Sequence, residues 1–556
     1  MSERATRVLS SLWPVLLTLL ITAPLLAPGY VLGYDMVFVP DLTLRLDLFG
    51  VTTALPRAVP SDVIVALLDN VVGGQVLNKA VLVAIPLLSG LGLTALWREL
   101  RLGGPLPGAA AATLYLWNPF VAERLRLGAW ALLLGYAALP WLVRSAFRLR
   151  RGEGWPGFLL ASAGCALTAS GGIIGLLVAA LILLWPGRGK VWPLAGAVLL
   201  NAPWIVAGAA HGGGATADPA SVTAFAARNE GYGGVLPTLL TLGGIWNADV
   251  VPGNRGDQLP VVFAFVMLLM SVVGVVLWWR KDRIAGALVL AAAVSVLIGV
   301  LGVVASHGFA QFVAHVPGAG LFRDGQRYLA PLALLESVGF GAAVAALLRH
   351  VPLHRVIGAT AVLLPIAALP GLSGGAGLRL SHYPADWPQA QRVLAGTYIP
   401  WPFESYRAPL WNGRRPVLDP MPRYFAQPAV VPDELIVGGH RLAGEDSRAN
   451  AVATALRTAV RSGTDPTSAL LQQGVGWIVV DREAGGPAPR GLMAGLTEEF
   501  SGPTVTVYKL AGTAAPQHHR LWRTLVVLAA WFVAAATLVA ALAGAVTKRS
   551  VVWRRQ

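Results

Sequence analysis

Long apolar runs set the limits for this chain of 556 residues. They fall near 9–28, 76–97, 105–121, 129–147, 156–169, 171–186, 191–209, 258–279, 284–305, 327–348, 354–371 and 520–545. A helix needs about 20 apolar residues to cross a bilayer, and in lipid only a helix or a closed barrel satisfies its own backbone polar groups. The runs therefore predict a polytopic α-helical membrane protein of about twelve spans. Composition points the same way: 55% of residues are hydrophobic, 13% are charged, and mean hydropathy is +0.62. Those values lie outside the soluble globular range.

The formal charge of +15 would suggest nucleic acid in a soluble chain. Here the cations fall in alternate short connections: Arg98 and Arg101, Arg148 to Arg151, Arg188 and Lys190, Arg280 to Arg283, Arg349, and the basic end with Lys548, Arg549, Arg554 and Arg555. This is a positive-inside pattern; it predicts that both termini are cytoplasmic, and it gives no case for a nucleic-acid partner. Arg4 and Arg7 ahead of the first run could pass for a secretory signal. The run lacks a small-residue cleavage site and is long enough to span, so an uncleaved helix is expected. The single cysteine, Cys165, lies in an apolar run and reads as packing rather than redox chemistry.

The same alternation puts the polar pieces outside: the loop from Gly29 to Lys79, the turn 117–130, the segment 210–257, the connection 306–326 and a region over 372–519. The expected domains are thus a transmembrane part (1–371, with outer loops 29–75 and 210–257), an extracytoplasmic domain (372–519), and a last helix with a cytoplasmic tail (520–556). In the 372–519 region, GVGWIVVD (474–481) and TVTVYKL (504–510) read as strands. DPTSALLQQ and RANAVATALRTAV (448–460) read as helices, so a small α/β domain is predicted.

The opening loop holds Asp35, Asp41, Asp47, Asp62 and Asp69. Asp35 ends the first span, where apolar neighbours can raise a carboxyl pKa and fit it for general-base work, with Asp41 as a second candidate. Asp47, Asp62 and Asp69 read as solvated or helix-capping residues. Arg323 and Arg327 lie four apart in LFRDGQRY; on one helix face they could clamp a phosphate, joined by Arg57 and Lys79. Against that stands the ordinary use of such cations as snorkelling anchors. Trp246, Asn247 and Asp249 could stack on and bond a sugar, and Glu123, in WNPFVAERLRLGAW, is a reserve base beside Arg124 and Arg126. The histidines are scattered, including His350/His354 and His518/His519, and none has HExxH spacing. No metal, nucleotide fingerprint or nucleophile elbow is indicated, and so no cofactor.

PGYVLGYDMVFVPD, LPRAVPSDVIVALLDNVV, LWNPFVAERL and FRDGQRYLAPLAL resemble phrases of actinobacterial GT-C membrane glycosyltransferases, the arabinofuranosyl- and mannosyltransferases of cell-envelope assembly. The resemblance covers about residues 1–370. It implies a polyprenyl-phosphate-linked sugar as donor, a glycan or glycolipid acceptor, and an inverting transfer with the first-loop acid, here Asp35, as base. Many relatives carry two adjacent acids there, whereas Asp35 is followed by Met36. The rival readings are a lipid or polysaccharide transporter, or a non-catalytic scaffold of an envelope complex. Acids are scarce inside the spans, with Glu336 the main exception, and that favours surface chemistry over a transport path.

Overall fold

The structure is a computed structural model. It describes residues 3–52, 54–186, 191–211, 216–485, 496–517 and 520–553, with side chains described from Ser11 to Thr547. The connection 187–190, the pair His518/His519 and the end 554–556 lie outside the described residues, as do the side chains of Arg4, Arg7, Lys548 and Arg549.

Each expected span is helical; among the described residues, eight helices are long and apolar enough to cross a membrane, with Ser11–Leu25 and Ala169–Leu184 as shorter apolar helices, against about twelve spans expected. Pro105–Leu116 has 12 residues and Trp155–Cys165 has 11. At 1.5 Å per residue either reaches only about 18 Å of a ~30 Å hydrocarbon core. Local capping chemistry explains both stops. Asn118 accepts a hydrogen bond from the Val121 amide at 3.0 Å and starts a new helix, Pro119–Arg126. Thr168 accepts from the Gly171 amide at 3.0 Å and starts Ala169–Leu184. A side chain that caps a following helix interrupts the preceding one.

The helix Ala330–Leu347 lies at the centre, with 89% of its apolar window buried. Gln258–Lys281 crosses it so closely that a Cβ on Gly274 would overlap the Gly339 carbonyl. Such small-residue contacts let helix backbones meet in lipid, where burial alone gives little drive for association. On the outer side the same helix leaves Leu259, Val262, Phe265 and Leu269 exposed, an apolar face suited to hydrocarbon.

The tail contains the predicted α/β unit. Its four-stranded sheet runs Tyr398–Trp401, Trp477–Asp481, Val505–Lys509, Thr497–Ser501; the first pair is parallel and the others antiparallel. Trp477–Asp481 is buried along its whole length, as an apolar run in the interior of a sheet should be. Ser447–Ser462 and Thr467–Gln472 pack Val452, Leu456 and Leu470 against Ile478 and Val480.

The tail is stitched to the opening loop. Tyr30–Val31 pairs antiparallel with Leu380–Ser381. Tyr34 donates its amide to the Pro416 carbonyl at 2.8 Å and accepts from the Leu418 amide at 2.8 Å.

Candidate active site

Between the membrane helices and the tail lies a cavity of about 2460 Å³, bounded in part by Asp35, Arg57, Trp246, Arg323, Arg327 and Tyr406. Its floor is the backbone around Asp35. The Asp35 amide donates to the Leu127 carbonyl at 3.0 Å, Met36 is fully buried behind it, and Phe38 packs on Trp130 with ring centroids 5.1 Å apart. Tyr34 takes a left-handed φ of 44° and Gly128 one of 75°. Gly128 is needed for a second reason: a Cβ there would collide with the Met36 amide and the Gly33 carbonyl.

The Asp35 carboxyl is open to the cavity yet walled by protein. Confinement away from bulk water pushes its pKa up, opposed by a hydrogen bond from Tyr406 and by the charges of Arg327 and Arg423, and assisted by Asp324. Tyr406 donates its hydroxyl to Asp35 Oδ1. Its own pKa is pushed well up by burial and by the Asp35 charge, so the proton stays on the tyrosine.

The two arginines of LFRDGQRY are not on one helix, contrary to expectation. Ala319–Phe322 and Gly325–Tyr328 are separate 3-10 turns, broken where Asp324 leaves the helical region at φ −94°, ψ 70°. Both guanidiniums nevertheless reach the cavity, and each already has a carboxylate partner. Arg327 bonds Asp324 through Nε at 2.9 Å, and Arg323 meets Glu445 of the tail at 2.8 Å. Arg57 meets Asp433 at 2.7 Å.

Trp246, Asn247 and Asp249 also line the cavity, with Trp246 packed edge-on against Phe225 and the Tyr34 hydroxyl 3.4 Å from Asp249. Three of the sequence candidates lie elsewhere. Asp41 is exposed outside the cavity lining, and Lys79 is half-buried with an Nζ that has no hydrogen-bond partner among the described residues. Glu123 is fully buried in an ion cluster, 3.6 Å from Arg255 and 3.5 Å from Arg124, with Arg255 also bonded to Glu230. Burial, then the nearby Glu230, drives the Glu123 pKa well above the carboxylate range. Such a cluster orders the turn over 117–130 and places Arg124 in the cavity wall.

Asp47, Asp62 and Asp69 do structural work. Asp47 pairs with Arg45 at 3.0 Å, Asp62 with Arg423 at 2.9 Å, and Asp69 accepts from the Leu42 amide at 2.8 Å. Sequence reasoning missed Tyr406, Arg423 and Asp324 as neighbours of Asp35. Tyr406 and Arg423 sit in the tail, far along the chain, and nothing local in FESYRAPLW or PMPRYF announces a partner. Asp324 could have been found, since it lies between the two arginines. Among the described residues no group of three His, Cys, Asp or Glu is gathered to hold a metal ion.

No family model matches the chain, and no curated protein matches it. Solved structures do, among them two cryo-EM structures of a mutant of arabinofuranosyltransferase AftD from mycobacteria in different particle classes. They are 16% identical, with TM-scores of 0.56 and 0.55, over 92% and 93% of this chain. This chain spans 42% of the length of each. At that identity the likeness is one of fold: the chain is a membrane protein whose helices and tail together share the architecture of part of a membrane arabinofuranosyltransferase.

Proposed function

We propose that this chain is an inverting GT-C glycosyltransferase that moves a sugar from a polyprenyl-phosphate donor to a cell-envelope glycan or glycolipid on the extracytoplasmic face. One observation carries the reading: a carboxyl with a raised pKa sits on the floor of a large cavity, facing arginines and a tail of the chain, in a fold shared with a sugar transferase. Tyr406 occupies Asp35 Oδ1, leaving Oδ2 to take the acceptor hydroxyl proton. The acceptor oxygen then bonds the anomeric carbon as the bond from that carbon to the phosphate oxygen breaks. The lipid phosphate leaves as an anion, which Arg327 and Arg323 stabilise by charge-assisted hydrogen bonds. Trp246, Asn247 and Asp249 hold sugar. The positive-inside pattern supports cytoplasmic termini and an extracytoplasmic tail.

Asp35→Asn tests the base. Transfer from a panel of labelled polyprenyl-phosphate pentoses and hexoses should fall by about 10²–10⁴-fold with insertion unchanged. Full retained activity removes Asp35 from catalysis; absence of transfer by the unmodified protein with every donor and a crude envelope acceptor returns the transporter or scaffold reading.

A further inference from the structure

A small hairpin of the tail crosses one side of the cavity. Leu435–Val437 pairs antiparallel with His440–Leu442 through a turn at Gly438 and Gly439, whose φ values of 56° and 80° lie in the left-handed region. Asp433 closes the hairpin at its base: Oδ2 accepts from the Glu445 amide at 2.6 Å and the Asp446 amide at 2.8 Å. Glu434, Ile436 and Arg441 of the hairpin line the cavity.

Little apolar packing holds this element in place. Leu442 is its one buried strand residue, and Ile436 is 62% exposed. Its ties to the membrane part are polar: Arg57 to Asp433 at 2.7 Å, Arg323 to Glu445 at 2.8 Å, and the Ala443 amide to Asp218 at 2.9 Å. Both arginines also line the cavity, and they lie close enough together to repel one another. Two neighbouring guanidiniums form a seat for an anion, and here the chain's own carboxylates occupy it. The Arg323–Glu445 pair is partly exposed and contributes only about 0.2–1 kcal/mol, whereas Asp433 is buried and keeps its two backbone hydrogen bonds when Arg57 leaves it. A phosphate, with more acceptor oxygens in one compact group, can bridge both cations and displace the two carboxylates.

We propose that residues 433–446 form a strap held shut by Arg57 and Arg323, and that a lipid phosphate entering the cavity takes these two arginines and releases it. The inference rests on the reading of the cavity as a lipid-phosphate site, and it adds that occupancy of this site governs access past the tail. Asp433 and Glu445 act as internal stand-ins for the ligand, so the arginines stay paired whether the site is filled or not. Exchange of one anion for the other leaves no guanidinium uncompensated, which keeps the step small.

Amide hydrogen exchange on the full chain in lipid nanodiscs tests this without requiring turnover. Adding a short-chain polyprenyl phosphate should speed exchange over 434–446 by about tenfold, the consequence of losing about 1.4 kcal/mol of closure. The Arg57→Gln, Arg323→Gln double variant should exchange fast without ligand and stop responding. Glu445→Gln, which spares both arginines, should loosen the strap part-way. Unchanged or slowed exchange on adding the lipid phosphate overturns the strap. Equal acceleration by inorganic phosphate at the same concentration overturns the assignment to a lipid headgroup. Because Asp35 has no part in this readout, failure of the transferase reading and failure of the strap are separable.

Discussion

Tyr406 donates its hydroxyl to the Asp35 carboxylate across 371 residues of sequence, so the tail domain supplies a direct partner to the acid of the loop that follows the first helix. The contact couples the two halves of the chain at the residue proposed as base. It also favours the ionised carboxylate, against the burial that disfavours it.

Removing that hydrogen bond has a definite sign. Burial raises the Asp35 pKa and the Tyr406 bond lowers it, so Tyr406→Phe raises it further. A base works only when deprotonated, and its rate climbs as pH rises through its pKa. The acid limb of the kcat/KM profile should therefore move to higher pH in Tyr406→Phe, with activity recovering above it. A uniform loss at every pH would mean that Tyr406 only holds the tail in place.

Arg327→Ala should weaken donor binding more than turnover. Loss of one charge-assisted hydrogen bond to a phosphate costs about 1.5–3 kcal/mol, or about 10–100-fold in donor KM. Arg327→Lys should restore part of it, since a point charge remains where a planar fork is lost. An unchanged KM would leave the Asp324 pairing as the whole role of this residue.

Gly128→Ala tests the floor of the cavity. The left-handed φ of 75° and the collision with the Met36 amide and the Gly33 carbonyl act together, at a local cost of about 1–3 kcal/mol. Transfer should drop sharply, with faster amide exchange over 33–38 and unchanged membrane insertion. Normal activity would show that Asp35 needs no such tight seat.

A fourth expectation concerns the tail core. Arg407 is buried between two carboxylates, Asp419 at 3.0 Å and Asp481 at 3.6 Å, so one negative charge is in excess. Burial pushes Asp481 up to about 6, with Arg407 opposing. Its unfolded value is about 3.9, so the folded state holds the proton more tightly; this stabilisation is full below about pH 4 and is lost as pH rises through about 6. Asp481→Asn should then stabilise the full chain in detergent at pH 7 by on the order of 1–3 kcal/mol, read as a raised melting temperature, with little change at pH 4. Equal shifts at both pH values would place the effect in packing.

The sequence by itself determined the membrane helices and two tail strands, Trp477–Asp481 and Val505–Lys509, because an apolar run in lipid or in a sheet interior has one stable backbone solution wherever its neighbours lie. It singled out Asp35 as ending the first span, whereas the first helix stops at Thr22 and Asp35 lies beyond the Tyr30–Val31 strand. It did not show where two helices stop, because Asn118 and Thr168 act as caps, and a cap is decided by a few dihedrals rather than by average hydropathy. Only the tertiary structure decided which acids and cations share the cavity. It brought Arg57, Arg323, Arg327 and Trp246 into one cavity with Asp35, left Asp41, Lys79 and Glu123 elsewhere, and added Tyr406 and Arg423 from the tail. Hydropathy is a property of each residue in place, whereas the neighbours of Asp35 are set by long-range chain closure, which leaves no local mark on the sequence.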